Sequence, residues 1–546
     1  MRREPHPLTG TIYEDVGDGR ARVSKKDSGD YGIFTWKGEW LEGAVTQADP
    51  HMLVYISGPD LPLDHEVFWM AAGSRVYDGS IPVDAPPGTH MAEMGRLVSG
   101  YTPDKGKDTP AGPRSSGFID AQFFIDNERF PERMSDAFRR VSPMEGGPQK
   151  IGTERFYSRE YHDLEVERIW QRAWQMACRE DDIPNVGDYH VYEIAHLSFL
   201  VVRVSEDEIQ AFQNVCLHRG RLLKDCSGKG AKEFMCPYHG WAWHTDGSLK
   251  SITAEWDFPG MREDAAQLPH AQVGRWGGFV FINPDMAAGP LEEFLGPVMI
   301  DYYRKYRLQD RYKQAHVQKL VRANWKVVME AFMESYHVIA THPHQMLLGG
   351  DLANADYDVF GNWGRAGIFP SPGSPQRGIE VSLEDALAQW RAGVDSQRAL
   401  LKGMYGIDTD QFADIELQGG FHDLFPNLHP WGGWSRICFR FRPHGDNPDE
   451  SIMDAMLLAP WPDGEPKPAP AKVRKLGFDD AWTSAPELLS LSKIMDQDVG
   501  NLPSIQKGLK AKQPPHVWYS AYQEGKIRNF HRNYERALGI EGSEQS

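Results

Sequence analysis

"CLHRGRLLKDCSGKGAKEFMCPYHGW", residues 216–241, holds two couples of like composition, Cys216-x-His218 and Cys236-x-x-His239. With five cysteines and twenty histidines in 546 residues, either couple alone carries little information. Both within about twenty residues form a ligand set. Two thiols and two imidazoles satisfy a tetrahedral structural zinc. Zinc fingers, however, pair cysteine with cysteine and space their histidines along a helix, whereas here each loop supplies one of each. That division suits a two-iron cluster with both thiolates on one iron and both imidazoles on the other. Neutral ligands raise the potential above that of an all-thiolate cluster, which helps it accept electrons from a ferredoxin. Cys178, Cys226 and Cys438 read as small hydrophobes.

A second constellation lies in NWKVVMEAFMESYHVIATHPH, residues 324–344. Residues 327–333 are apolar on nearly every face, so the pattern predicts a buried helix over 321–340. Glu330, Glu334 and His337 fall at i, i+4 and i+7, one polar stripe on that helix. A buried carboxylate needs a partner, either an internal polar network or a metal. His342 follows just before Pro343, where a helix end or π-bulge would bring both imidazoles to one site. Two histidines and a carboxylate make the facial triad of non-haem iron oxygenases. In LLSLSKIMDQDVGNL (488–502), a predicted helix, Asp498 is the one carboxylate on the stripe of Leu488, Leu491, Met495 and Leu502. Asp496 lies off that stripe near Lys493 and reads as solvated.

Composition bounds the rest. A formal charge of −18 speaks against nucleic acid and anionic membranes as partners. The longest apolar runs, such as LSFLVV (197–202), are strand-length and too short to span a bilayer. MRREPHPLTG carries twin arginines without a following apolar run, against a secretory leader. Few cysteines, odd in number, suit a reduced cytoplasm. Residues 1–150 read as a β-rich N-terminal extension of unknown role, with GIFTWKGEW (32–40) and MLVYISG (52–58) as strands. The Pro/Gly-rich stretch 102–117 and the linker 142–150 follow. Residues 151–295 open with a helix (158–174) and continue as short strands that carry the cluster couples. Residues 296–546 alternate helix and strand, with an amphipathic helix at 382–401 capped by Ser382.

The HRG after the first couple and PYHGW at the second match the Rieske [2Fe–2S] signature. With Asn324-Trp325-Lys326, Glu334-x-x-His337-x-x-x-x-His342 and Asp498…Gln506, residues 155–535 resemble the catalytic α-subunit of Rieske non-haem iron, or aromatic-ring-hydroxylating, oxygenases. The resemblance implies an α+β chain: an antiparallel β Rieske domain, then a helix-grip catalytic domain of antiparallel sheet with helices. It implies a cluster held by Cys216, His218, Cys236 and His239, and a mononuclear Fe(II) held by His337, His342 and Asp498. Glu334 would bridge His337 to a cluster histidine of a neighbouring subunit; many members have aspartate there, and many have asparagine where Ala331 stands. Electrons would come from NAD(P)H through a flavin reductase, a ferredoxin or both, in a homotrimer with or without a β subunit. The implied activity is O₂-dependent hydroxylation, foremost dihydroxylation, of an apolar aromatic or polycyclic compound. The alternatives are a mono-oxygenase or demethylase on an aryl ether or quaternary amine, and an inactive electron-transfer or regulatory protein. FPNLHPWGGW (425–434) offers Trp431 and Trp434 as a pocket wall. Between the couples, Arg219, Arg221, Lys224, Lys229 and Lys232 face only Asp225 and Glu233, a local balance of about +3 that suits an acidic electron donor.

Overall fold

The computed structural model describes residues 2–6, 9–61, 121–142, 147–342, 355–369, 382–462 and 464–540. The stretch 102–117, residues 143–146 of the expected linker at 142–150, Pro343 and His344 lie outside them.

LSFLVVR and FVFIN are β-branched and aromatic on both faces, and both become buried strands, Leu197–Arg203 and Phe279–Asn283. They belong to a six-stranded antiparallel sheet ordered 175–179, 279–283, 270–276, 209–213, 197–203 and 189–194. Beside it lies a small antiparallel sheet of Glu233–Met235, Ala242–His244 and Leu249–Ser251. Phe212, Phe234, Trp241 and Trp243 fill the space between them together with Cys216 and Cys236.

The C-terminal half is built on an eight-stranded sheet. Its longest strand, Asn447–Ala459, pairs antiparallel with Tyr312–Val321 on one side and Ile437–His444 on the other. Helices Leu491–Ala511 and Gly525–Leu538 pack against this half. One apolar core runs through both halves, from Val201 and Val280 to Phe439, Met495 and Tyr534. The α+β arrangement expected from sequence is therefore present, with the cluster loops around a small core of their own and the iron-ligand candidates against the core shared by both halves.

Three elements differ from expectation. MLVYISG is no strand but the helix Pro50–Ser57, with Asp49 capping the N–H groups of His51 and Met52 and proline at its first turn. It covers an antiparallel sheet of five strands between Arg3 and Gly43. Residues 121–141 do not join that unit. Phe124 stacks on Phe369, Phe138 on Tyr302, and Arg129 pairs with Asp414, all in the C-terminal half. Finally, the helix expected over 321–340 is two short helices, Trp325–Glu330 and Val338–Thr341. Residues 312–321 are strand, Asn324 caps the first helix, and Phe332 and Met333 close the turn with i→i−3 bonds. The Glu334 carboxylate takes the His337 N–H at 3.0 Å, a side-chain bond that replaces the helical ladder.

Candidate functional site

The two cluster couples sit on loops of matching geometry. Cys216 N–H donates to the carbonyl of Arg221 and Cys236 N–H to that of Trp241, each at 2.8 Å. Gly220 and Gly240 return to the carbonyls of Cys216 and Cys236, each at 3.0 Å. Both glycines have left-handed backbone, φ +77° and +78°, where a side chain would be strained. The loops face each other with the imidazoles of His218 and His239 4.7 Å apart between ring centres. Trp241 stacks on His218 at 4.8 Å, nearly parallel. Both cysteines are buried. Burial pushes the Cys216 thiol pKa up; the His218 N–H opposes this and the adjacent Cys236 thiol reinforces it. Such thiols ionise only beside a strong cation, as they do on a metal. Nδ1 of His218 is buried without a hydrogen-bond partner, as a nitrogen reserved for a metal would be. The donor set thus fits a two-iron cluster.

Elsewhere, one group of three metal-ligating side chains converges among the described residues: atoms of His337, His342 and Asp498 lie within 4.8 Å of one another. Asp498 Oδ1 is 2.8 Å from His342 Nε2 and 3.4 Å from His337 Nε2. The opposite ring nitrogens are each engaged. Nδ1 of His337 lies 2.6 Å from Glu334 Oε1, and Nδ1 of His342 lies 3.0 Å from Gln497 Oε1. Acceptors at both Nδ1 atoms place N–H there and turn the Nε2 lone pairs toward one point, the tautomer a metal needs. Burial would lower the His337 pKa, but Glu334 and then Asp498 hold it well above the usual histidine range. Burial would raise that of Asp498, yet His342 and His337 hold it well below the carboxylate range. Two carboxylates around two imidazoles whose Nε2 atoms converge make a cation-binding set, and it fits a mononuclear metal with open positions.

A cavity of about 120 Å³ adjoins the triad. Phe332, Phe421, Trp431, Phe439, Ile368 and Met495 give it apolar walls. Trp431 therefore has the expected place. Trp434 does not: it is buried among Tyr306 and Phe412, over Arg311. Asp496 is also not solvated, for it accepts the N–H groups of Trp482 and Thr483. The basic segment is partly consumed as well. Arg221 pairs with Asp225, and Lys229 donates to Asp188 and to the carbonyl of Asp182. Beneath the first short helix, Glu165 accepts from Trp325 Nε1 and Tyr534 and pairs with Lys326. Sequence patterns do not single out Gln497; its position one residue before a ligand is the only signal it carries.

Two family models match the chain: a Rieske [2Fe-2S] domain over residues 173–261 and the catalytic domain of ring-hydroxylating alpha subunits over residues 301–540. The chain belongs to the Rieske oxygenase alpha subunits. Its cofactors are accordingly a Rieske [2Fe–2S] cluster and a mononuclear iron. Among curated relatives, the biphenyl 2,3-dioxygenase subunit alpha of Rhodococcus jostii is 31% identical over 44% of this chain and 55% of its own. The carnitine monooxygenase oxygenase subunit of Escherichia coli is likewise 31% identical, over 44% of this chain and 65% of its own. The chain thus spans less than two thirds of the length of these relatives. A solved quaternary ammonium Rieske monooxygenase with L-carnitine shares the fold, with a TM-score of 0.54 and 17% identity, over 73% of this chain and 99% of that one. No helix among the described residues is long and apolar enough to cross a membrane.

Proposed function

We propose that this chain is the terminal oxygenase component of an electron-transfer system, hydroxylating a small, largely apolar organic molecule. The observation that carries the proposal is the convergence of His337, His342 and Asp498 beside an apolar cavity, in a chain with a second ligand set for a cluster. Cys216, His218, Cys236 and His239 hold the cluster within a domain of residues 151–295, and the triad holds iron within residues 296–546. Iron there would supply O₂ binding and activation, using electrons that the cluster delivers singly. The protein's own share is positional. Glu334 fixes the ring of His337, and its carboxylate reaches toward a cluster histidine of a neighbouring subunit in a ring-shaped homo-oligomer. The aromatic walls exclude water and hold substrate by contact alone. Electrons come from a reductase, directly or through a ferredoxin, and the chain works in the cytoplasm.

The cavity is close in size to engineered cavities of about 150 Å³ that take up benzene. That size favours a single-ring aromatic over a polycyclic substrate. A second reading, a mono-oxygenase on a quaternary amine, draws on the aromatic faces of Phe421, Trp431 and Phe439, which suit a desolvated cation. Turnover under ¹⁸O₂ with a surrogate reductase separates them. A ring product with two labelled oxygens supports dihydroxylation, and one labelled oxygen with carbon–nitrogen cleavage supports the amine reading. Absence of label from every product of a panel spanning both classes overturns oxygenase activity.

A further inference from the structure

The unit formed by residues 3–57 lies outside both matched regions, yet it reaches the iron-ligand candidates. Its helix Pro50–Ser57 packs along helix Leu491–Ala511, which carries Asp498. The contact is specific. Gln497, only 2% exposed, donates through Nε2 to the carbonyl of His51 at 2.9 Å. A carbonyl can only accept, so this bond fixes which end of the amide faces it. The other end, Oε1, therefore faces Nδ1 of His342 at 3.0 Å and makes that nitrogen the donor. His342 is left with its Nε2 lone pair toward Asp498 and His337.

The His51 carbonyl is itself held from inside the N-terminal unit. Asp49 caps the first turn through His51 N–H at 2.8 Å and Met52 N–H at 3.3 Å. His6 Nε2 holds the same carboxylate at 2.9 Å, and the Asp49 N–H donates to the buried Tyr13 hydroxyl at 2.7 Å. A weaker link runs alongside, in which Asn501 reaches Thr341, the residue before His342, at 3.5 Å. Partners of this outer kind orient a ligand and set its basicity, and their loss costs about 10–100-fold in metal affinity.

We propose that residues 3–57 are a positioning module for the mononuclear site, and that Gln497 is the positioning residue through which they fix the tautomer and orientation of His342. The inference rests on reading His337, His342 and Asp498 as the iron ligands.

The test uses the full chain carrying its cluster, with two readouts at the second metal: Fe(II) retention against a chelator, and the EPR signal of the ferrous nitric oxide adduct. The cluster's own EPR signal reports that each variant is folded. Gln497→Leu should weaken Fe(II) retention about 10–100-fold and change the rhombicity of the adduct. Gln497→Glu keeps an acceptor for His342 but loses the donor to His51, so its Fe(II) retention should fall between those of wild type and Gln497→Leu; a merely space-filling role, which the isosteric glutamate satisfies, predicts wild-type retention. Asp49→Ala with Ile56→Asp, which removes the cap and puts a charge into the unit's core, should alter the adduct in the direction of Gln497→Leu. An unchanged adduct and unchanged retention in that double variant overturn the proposal. Wild-type protein holding no iron beyond the two of its cluster overturns the underlying ligand reading instead.

Discussion

The proposed cluster loops and the proposed iron-ligand triad would solve the same problem, holding a metal with side chains, by opposite means. The loops are local: four ligand candidates lie between residues 216 and 239, on two turns with the same hydrogen bonds and the same left-handed glycines. The triad is distributed: a split helix supplies His337 and His342, a helix far along the chain supplies Asp498, and the outer partners reach back to residue 51. A local site needs only its turns to be right. A distributed site is only as good as the packing of the elements that carry it, and so it accumulates support from Glu165, Glu330, Gln497 and the N-terminal helix.

If the two sites are independent in construction, each can be destroyed alone. Cys236→Ala should abolish the visible and EPR signatures of the cluster while leaving one iron per chain. His342→Ala should keep those signatures and remove turnover; metal and acid-labile sulfide analysis of both variants checks the pair. Retention of turnover by His342→Ala would break the comparison at once. Glu334 is where the two sites meet in the proposed assembly. Glu334→Gln should keep both metals but slow cluster oxidation in single turnover by about 100-fold or more, in the range seen when a buried, charged hydrogen bond is lost.

The packing that supports the distributed site can be probed through Glu330. Its pKa is raised from 4.5 to about 8, by burial first, with the hydroxyl of Tyr519 at 2.8 Å opposing the shift. His531 lies 2.8 Å from its other oxygen. The folded protein therefore holds this proton after the unfolded chain has released it. The resulting stability is complete below pH 4.5 and is lost as pH rises toward 8. Glu330→Gln should flatten that slope, by at least about tenfold in the unfolding equilibrium across the window, as read from denaturant midpoints at several pH values. A slope unchanged in the variant would assign the pH dependence elsewhere. The smallest effect belongs to the local site. With Lys229 and Arg221 already engaged by carboxylates, Arg219, Lys224 and Lys232 remain for a donor to meet, and Lys224→Glu with Lys232→Glu should slow reduction by an acidic donor about two- to fivefold at low salt. Stopped-flow reduction across a salt series is the measurement, and a rate independent of both substitution and salt would refute steering.

The same contrast governs what is legible in the sequence. The cluster-ligand candidates are legible because spacing within each of the two loops is itself the constraint. The triad is legible in outline, since a carboxylate stranded on an apolar stripe must meet a cation or a hydrogen-bond donor there. Its surroundings are not. Periodicity cannot reveal that Glu334 takes the His337 N–H and ends a helix, because side-chain competition with the backbone leaves no trace in a hydropathy pattern. Residues 52–58 are a short apolar run with Val54, Tyr55 and Ile56, a composition that suits a strand, and the helix-start signal at Asp49-Pro50 outweighs it. Gln497 and Asp496 take their roles from what packs against them, the His51 carbonyl and the turn at 482–484, and no local pattern encodes that.

The distance along the chain between His342 and Asp498 also sets an order of manufacture. Everything the cluster loops need has left the ribosome by about residue 295, and domains generally fold in the order in which they are made. The triad stays open until residue 498 emerges and its helix finds the eight-stranded sheet. A nascent chain can thus be supplied with iron and sulfide long before it can retain a single iron. Translation stalled between these points would yield a coloured protein that binds no second metal.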